Sequence, residues 1–328
     1  MNHNNFNQFN QFKRNRSYSP ETKSDILFLH KQGLSSRRIA DDLGVSKSGV
    51  NDFLASLGIS PKKSNSKQQQ GPKVLFIDLE TSAALAYCFG RHKVFLQQDN
   101  IKTEGGKLLC AGYRWEGQSR STVLKDYSEV KQQEDYLLCQ LMHNLYSKAD
   151  VVVGHNILGF DHKMLEVRCL ANGLPPLPAV KLIDTLQIAK QKFRFPSNKL
   201  DALAAYLGIG RKVSHSGIDL WIKTQEGSKE ALDDMVEYCK QDVDLLYDVF
   251  MHLRGRGLVS GINYANYYND TVTRCKSCGS KHLIPTGRLV TTPTGRYNEL
   301  QCQDCEALQR DKKNQLSKEK RSSLTAAV

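Results

Sequence analysis

The 328-residue chain has no run approaching the roughly 20 consecutive apolar residues of a membrane-spanning helix, which excludes that class. Its opening residues, MNHNNFNQFNQF, lack the apolar stretch of a secretory signal, so neither membrane insertion nor export is expected. No long internal repeat is present. The nine cysteines also lack the spread of a disulfide framework. Cys88, Cys110, Cys139, Cys169 and Cys239 stand apart, while the other four form two tight pairs near the C-terminus. That usage points to a reducing compartment such as the cytoplasm, and to a metal site. The length is about two domains, too short for a complete template-directed polymerase with accessory domains.

What is present in excess is positive charge, and its distribution matters more than its total of +12. Residues 1–72 carry 11 basic and 5 acidic side chains, residues 73–270 carry 24 of each, and residues 271–328 again carry 11 and 5. A neutral centre with two basic ends fits a core with polyanion-binding arms, although basic tails also serve solubility alone.

Residues 1–19, rich in Asn and Gln, read as a disordered arm. Residues 20–58 read as three short helices. The first is opened by Pro20 and closed by Gly33, the second is capped at Ser35, and the third follows Gly44 and the cap Ser46 and carries Val50, Phe53, Leu54 and Leu57. Two helices about a Gly-centred turn form the helix-turn-helix layout. Residues 59–72, ISPKKSNSKQQQGP, read as a linker. From Lys73 to about residue 253, strand signals at 74–79, 108–114, 122–126, 151–153 and 182–183 alternate with helix signals at 129–148, 161–172, 199–207 and 230–253. Early hairpins followed by strand–helix units predict a mixed sheet covered by helices. Residues 254–270 form a connection, 271–309 a cysteine module and 310–328 a basic tail.

Three acidic clusters stand out. In KVLFIDLE, Asp78 and Glu80 lie two apart on a strand and therefore share a face. Adjacent carboxylates repel unless a cation lies between them, and a divalent ion is the usual one. Alone, the pair is equally a polar strand edge. In VVVGHNILGFDHKML, Asn156 and Asp161 follow an apolar strand, and an acid opening a helix also answers the helix dipole. On ALDDMVEYCKQDVDLLYDVFMHL, an apolar stripe runs through Leu232, Met235, Cys239, Val243, Leu246, Phe250 and Leu253. Tyr238 and Asp242, four apart, flank it on one face. Asp244 and Asp248 read as a solvated helix edge.

In this order and spacing, Asp-x-Glu, Asn-x-x-x-Phe-Asp and Tyr-x-x-x-Asp together resemble the DEDDy branch of the DnaQ-like 3′–5′ exonucleases. The resemblance covers residues 73–253, with Asp184-Thr185 and Lys199-Leu200-Asp201 resembling secondary motifs. It implies an α/β fold with a ribonuclease H-like mixed sheet flanked by helices, and two-metal phosphodiester hydrolysis with Mg²⁺ or Mn²⁺. In that mechanism Asp78, Glu80 and Asp242 would hold the metal positioning the attacking water, and Asp78 would bridge to a second metal. Asp161 would complete the site. Tyr238 would orient the water or help deprotonate it, and Asn156 and Phe160 would shape the substrate cleft. Asp184 is open between a site role and a structural one.

Two flanking modules complete the reading. Cys275-x-x-Cys278 and Cys302-x-x-Cys305 match four-thiolate zinc ligation and predict a zinc ribbon with one structural Zn²⁺. His282 is not needed as a ligand. The segment from Gly33 to Val50 looks like the homeodomain-like helix-turn-helix of recombinases and transposases. That likeness puts Ser46, Lys47, Ser48 and Asn51 toward a major groove, with Arg37 and Arg38 on phosphates. The alternative is a three-helix protein-interaction bundle.

The expectation is therefore a DNA 3′–5′ exonuclease that takes a single-stranded 3′ end and is held on duplex by its N-terminal module. It would work beside a replication or repair polymerase, and an Asn-rich arm on a compact nuclease fits a phage-encoded protein acting in a host cell. Three alternatives remain: an RNase D-like RNA exonuclease, a DNA-binding regulator with an inactive core, and a transposase-related protein.

Overall fold

A computed structural model describes residues 18–31, 34–57, 59, 71–90, 92, 94–126, 134–210, 217–256 and 261–325. The chain divides into two compact units, residues 1–67 and 68–328. Residues 1–17, Gly33 and most of the expected linker lie outside the described residues.

The first unit holds α1 (Pro20–Lys31), α2 (Ser36–Leu43) and α3 (Lys47–Ser56). The caps are those the residue types favour. Ser35 accepts a hydrogen bond from the Arg38 N–H and Ser46 accepts one from the Gly49 N–H, each satisfying a donor that the first helical turn leaves open. Gly44 ends α2 with φ at 65°, in the left-handed region that a side chain would resist. Ile26, Leu29, Ile39, Val50 and Leu54 are buried and form the core of this unit. Leu57, expected inside α3, lies one residue past its end and is exposed.

In the second unit a five-stranded sheet has the order β5-β4-β1-β6-β7. Its strands are β1 (Val74–Thr81), β4 (Leu108–Trp115), β5 (Thr122–Lys125), β6 (Val151–Gly154) and β7 (Lys181–Asp184). β2 (Leu85–Ala86) and β3 (Ile101–Thr103) pair as a separate small hairpin. β1 runs antiparallel to β4 and parallel to β6, which is parallel to β7. The run Val74–Ile77 is buried throughout, as a central strand covered on both faces must be.

The helices are α4 (Tyr136–Tyr146), α5 (Asp161–Ala171), α6 (Thr185–Lys192), α7 (Leu200–Tyr206), α8 (Ile218–Gln225) and α9 (Lys229–Gly255). All seven residues of the apolar stripe on α9 are buried. They cover the face of β1 that carries Phe76, whose ring meets Phe250 at 5.1 Å and Tyr247 at 5.0 Å. Gly112 of β4 permits this close approach, because a Cβ there would lie 2.6 Å from Val243 and 2.8 Å from the Cys239 sulfur.

A buried clamp ties α4, α5 and β4 together. Asp135, with no exposed surface, accepts two bonds of 2.7 Å from the Arg168 guanidinium, one of 2.8 Å from Asn172 and one of 2.8 Å from the Leu108 N–H. Burial pushes its carboxyl up, but the Arg168 fork and the other donors hold it below the usual carboxylate range.

Asp244 is not the free helix edge that was expected, since it accepts bonds of 2.9 Å from both Arg114 and the Ser121 N–H. Asp248 is exposed.

The C-terminal module is a three-stranded antiparallel sheet of β8 (Leu283–Thr292), β9 (Gly295–Cys302) and β10 (Leu308–Asn314), followed by α10 (Lys318–Ser322). The strand β10 overruns the expected boundary at 309, so residues 310–314 belong to this sheet and not to a basic tail. Ladder pairing with β9 uses the backbone and so needs no apolar side chain, which is why LQRDKKN gives no strand signal. At the end of α9, Arg254 joins this module to the core. Its Nε donates to the Ser277 carbonyl at 2.6 Å, Nη1 pairs with Glu116, and the guanidinium lies 4.6 Å over the Tyr264 ring. Among the described residues, no helix is long and apolar enough to cross a membrane.

Candidate functional site

Parallel pairing sets the C-terminal ends of β1, β6 and β7 at one edge of the sheet, where open α/β sheets commonly hold their ligands. Asp78 and Glu80 end β1, Asn156 and Asp161 follow β6, and Asp184 ends β7.

Asp78 and Glu80 share the face of β1 that bears Phe76, as the alternation predicts, so they lie under α9. Glu80 is 8% exposed. Oxygens of both carboxylates and the Cys239 sulfur lie within 4.8 Å of one another. Cys239 is the neighbour that periodicity concealed, because it also belongs to the apolar stripe. Its thiol points at the Asp78 carbonyl oxygen, 3.7 Å away. A hydrogen bond with Cys110, burial and the two acids all push that thiol well above its ordinary range. It therefore stays protonated and forms a wall of the site, not a ligand for a hard cation.

Asp161 opens α5 and is 3% exposed; its Oδ1 accepts from the Leu79 N–H at 3.2 Å. That bond brings a third carboxyl to the peptide between Asp78 and Glu80. Burial pushes the Asp161 carboxyl up to about 7, against the pull of its backbone hydrogen bonds. Asp242 is likewise 3% exposed and lies one helical turn beyond Cys239 on α9. Tyr238, beside Cys239, is half-buried and meets the edge of Trp221 with 6.0 Å between centroids. Trp221 lies on α8, an element the sequence pattern did not reveal. Gln225 of the same helix brackets Ala83, accepting from its N–H at 2.8 Å and donating to its carbonyl at 3.0 Å.

Asp184 resolves toward the structural role. It accepts from the Leu186 and Gln187 N–H groups at the start of α6, and from the Asn156 and Leu158 N–H groups of the loop after β6. It thereby holds the loop that carries Asn156, Phe160 and Asp161. Asn156 adopts φ of 75°, and its carbonyl accepts from the Gly159 and Phe160 N–H groups. Phe160 is 37% exposed beside Asp161.

The donor set at Asp78, Glu80, Asp161 and Asp242 suits a hard divalent cation. Of these, Asp78 and Glu80 lie close to each other, and two adjacent carboxylates are stable together as anions only with a compensating charge. The second metal candidate is separate. Cys275, Cys278, Cys302 and Cys305 have sulfurs within 4.8 Å of one another, with Cys275–Cys305 and Cys278–Cys302 both at 3.6 Å. A disulfide would bring two sulfurs to about 2.05 Å. A tetrahedral zinc with Zn–S bonds of about 2.3 Å sets them about 3.8 Å apart, close to what is seen. The Ser277 N–H also points at the Cys275 sulfur, 3.4 Å away, as a donor to a thiolate does. His282 instead lies 3.0 Å from Asp304 and is exposed.

In the N-terminal unit Arg37, Ser46, Lys47 and Ser48 are exposed, and Arg38 and Asn51 are half-buried.

No curated protein matches the chain. Among solved structures it is similar to the family B DNA polymerase from the hyperthermophilic archaeon Pyrobaculum calidifontis, at 15% identity and a TM-score of 0.42. That similarity covers 65% of this chain and 28% of the polymerase. Residues 99–254 match the family model described as the RNase_H superfamily, and the mixed sheet with its flanking helices is ribonuclease H-like.

Proposed function

We propose that the chain is a divalent-metal-dependent nuclease, specifically a 3′–5′ exonuclease acting on DNA. The observation that carries this reading is the gathering of Asp78, Glu80 and Asp161 at one sheet edge, with Asp161 bonded to the peptide between the other two. Asp78, Glu80, Asp161 and Asp242 are the residues that would hold the divalent cations. Magnesium or manganese bound there supplies positive charge to the attacking and leaving oxygens of an in-line displacement. Tyr238, steadied by Trp221, presents its hydroxyl to orient the attacking water. Phe160 and Asn156 border the cleft that receives the strand end.

The three-helix unit anchors the enzyme on duplex DNA through Lys47, Ser48 and Asn51 near the start of α3, with Arg37 and Arg38 on phosphates. A helix of this kind favours DNA, whose major groove admits it, over RNA, whose major groove is deep and narrow. Cys275, Cys278, Cys302 and Cys305 would hold one zinc, which would reinforce the small apolar cluster they form with Ala307 and Leu283.

The test uses 5′- and 3′-end-labelled DNA and RNA strands with Mg²⁺, Mn²⁺ or EDTA, beside Asp78→Ala and Asp242→Ala. A metal-dependent ladder on 5′-labelled DNA, absent in both variants while their duplex binding is retained, is expected. A ladder on RNA alone reassigns the substrate. Full activity in either variant refutes the site.

A further inference from the structure

Residues 185–200 carry four cations, Lys190, Lys192, Arg194 and Lys199, and no acid, within a stretch, residues 73–270, whose charges cancel overall. Lys190 and Lys192 occupy the last turn of α6, where they also answer the helix dipole. Arg194 and Lys199 lie outside the helix, so the dipole does not account for them.

Aromatic rings alternate with these cations. Phe193 and Phe195 have centroids 5.1 Å apart, and Tyr206 of α7 meets the Phe195 ring edge-on at 5.5 Å. Three rings in contact would ordinarily make a core, but Tyr206 is 66% exposed and Phe193 36%. Phe193, Phe195 and Leu207, with His252, Leu253 and Arg256 from the end of α9, line an open cleft of about 380 Å³. No acid lines it. The same segment then returns to the carboxylate edge, where the Asn198 carbonyl accepts from His155 Nε2 at 2.9 Å, and His155 immediately precedes Asn156.

We infer that this cleft is a stacking site for the bases of a single-stranded nucleic acid, upstream of the end that enters the carboxylate site; the inference rests on reading that site as a nuclease. Exposed rings offer π-faces to unpaired bases, and the interleaved cations take the phosphates between them. A duplex shows no free base face and does not fit this chemistry. Every base has a π-face, so the site accepts any sequence. From Asp242 to His252 the helix rises about 15 Å, so a strand of very few nucleotides occupies the carboxylates without reaching the rings.

The full-length chain in EDTA, which prevents cleavage, is titrated by fluorescence anisotropy with dye-labelled oligothymidylates of 3 and 12 nucleotides. A 12-mer of equal charge with abasic sites in place of bases is titrated alongside. The 12-mer is expected to bind at least about tenfold more tightly than its abasic counterpart, and Phe193→Ala/Phe195→Ala to erase that difference. Phe193→Tyr/Phe195→Tyr, which keeps the rings, restores it. Magnesium-dependent hydrolysis of the 3-mer is unchanged in both double variants. Equal binding of normal and abasic 12-mers by the unmodified chain overturns the stacking site, whether or not the Ala variant folds. Retention of the preference in a folded Ala variant also overturns it. Base-dependent binding without hydrolysis of any strand sinks the nuclease reading and leaves the stacking site standing, while hydrolysis without base preference does the reverse.

Discussion

Gly112 is where the fold and the proposed chemistry meet most closely. It lies opposite Asp78 in the antiparallel ladder between β1 and β4, and α9 presses on it from above. Its φ lies outside the left-handed region, so alanine suits the backbone and any penalty of Gly112→Ala comes from the new methyl. That methyl would lie 2.6 Å from Val243 Cγ2, 2.8 Å from Cys239 Sγ and 3.3 Å from the Cys239 carbonyl oxygen. Ordinary carbon contacts lie at about 3.5–4.0 Å, so roughly 1 Å must open between strand and helix. One of the opposing atoms is helix backbone, so rotamer changes alone cannot make the room. Overpacking of this kind costs about 1–3 kcal/mol. The displacement also moves Tyr238 and Asp242 away from Asp78 and Glu80, and misplacement by about 1 Å costs on the order of 100-fold in rate. Urea denaturation gives the first quantity as a lowered midpoint at constant slope, and single-turnover hydrolysis of a 5′-labelled strand gives the second. Adding Val243→Ala removes the nearest contact, so the double variant should recover part of the stability loss, a favourable coupling of about 1 kcal/mol or more. Unchanged midpoint and rate in Gly112→Ala would refute the claim that α9 is seated directly on β4 at the site.

Two further outcomes test the metal centres. The folded-state pKa of Asp161 is raised, so its neutral form is favoured in the fold. That contribution is fully present below the unfolded value of about 3.9 and is lost as pH rises through about 7. In chelator, Asp161→Asn should therefore gain stability relative to the unmodified chain between pH 5 and 8, and millimolar Mg²⁺ should stabilise only the unmodified chain. Parallel melting curves across that range would contradict the burial argument. Native mass spectrometry should find one zinc per chain. Cys302→Ser should lose it and abolish protection of β8–β10 amides in hydrogen exchange, leaving β1 and β6 protected; retained zinc would contradict four-thiolate ligation.

Elements with strong side-chain periodicity were legible from sequence. The stripe on α9, the caps at Ser35 and Ser46, the left-handed Gly44 and the buried run of β1 each follow from local residue chemistry and appear as expected. The four cysteines also come together as their spacing implies. What stayed hidden depends on partners remote in sequence. The strand β10 is held by a backbone ladder. The two-residue β2 is too short to alternate, and α6 and α8 are single eight-residue helices whose apolar faces are brief. Asp135 did not stand out, Asp184 stayed open between two roles and Asp244 read as a solvated edge; donors 28 to 130 residues away make all three clamps. Cys239 was visible as a core residue, but its place beside two carboxylates depends on where the missing side chain of Gly112 lets α9 settle.

The buried Arg254 bears on how such a protein can be rearranged by recombination. By composition, a crossover after α9 looks clean, since it separates a charge-neutral stretch from a basic, cysteine-paired one. The guanidinium makes it costly. Exchanging the C-terminal module removes the Ser277 carbonyl and leaves a cation that is 5% exposed with Glu116 but without a backbone acceptor. A viable exchange must bring a replacement acceptor or change residue 254 at the same time, so the two segments are inherited most safely as one.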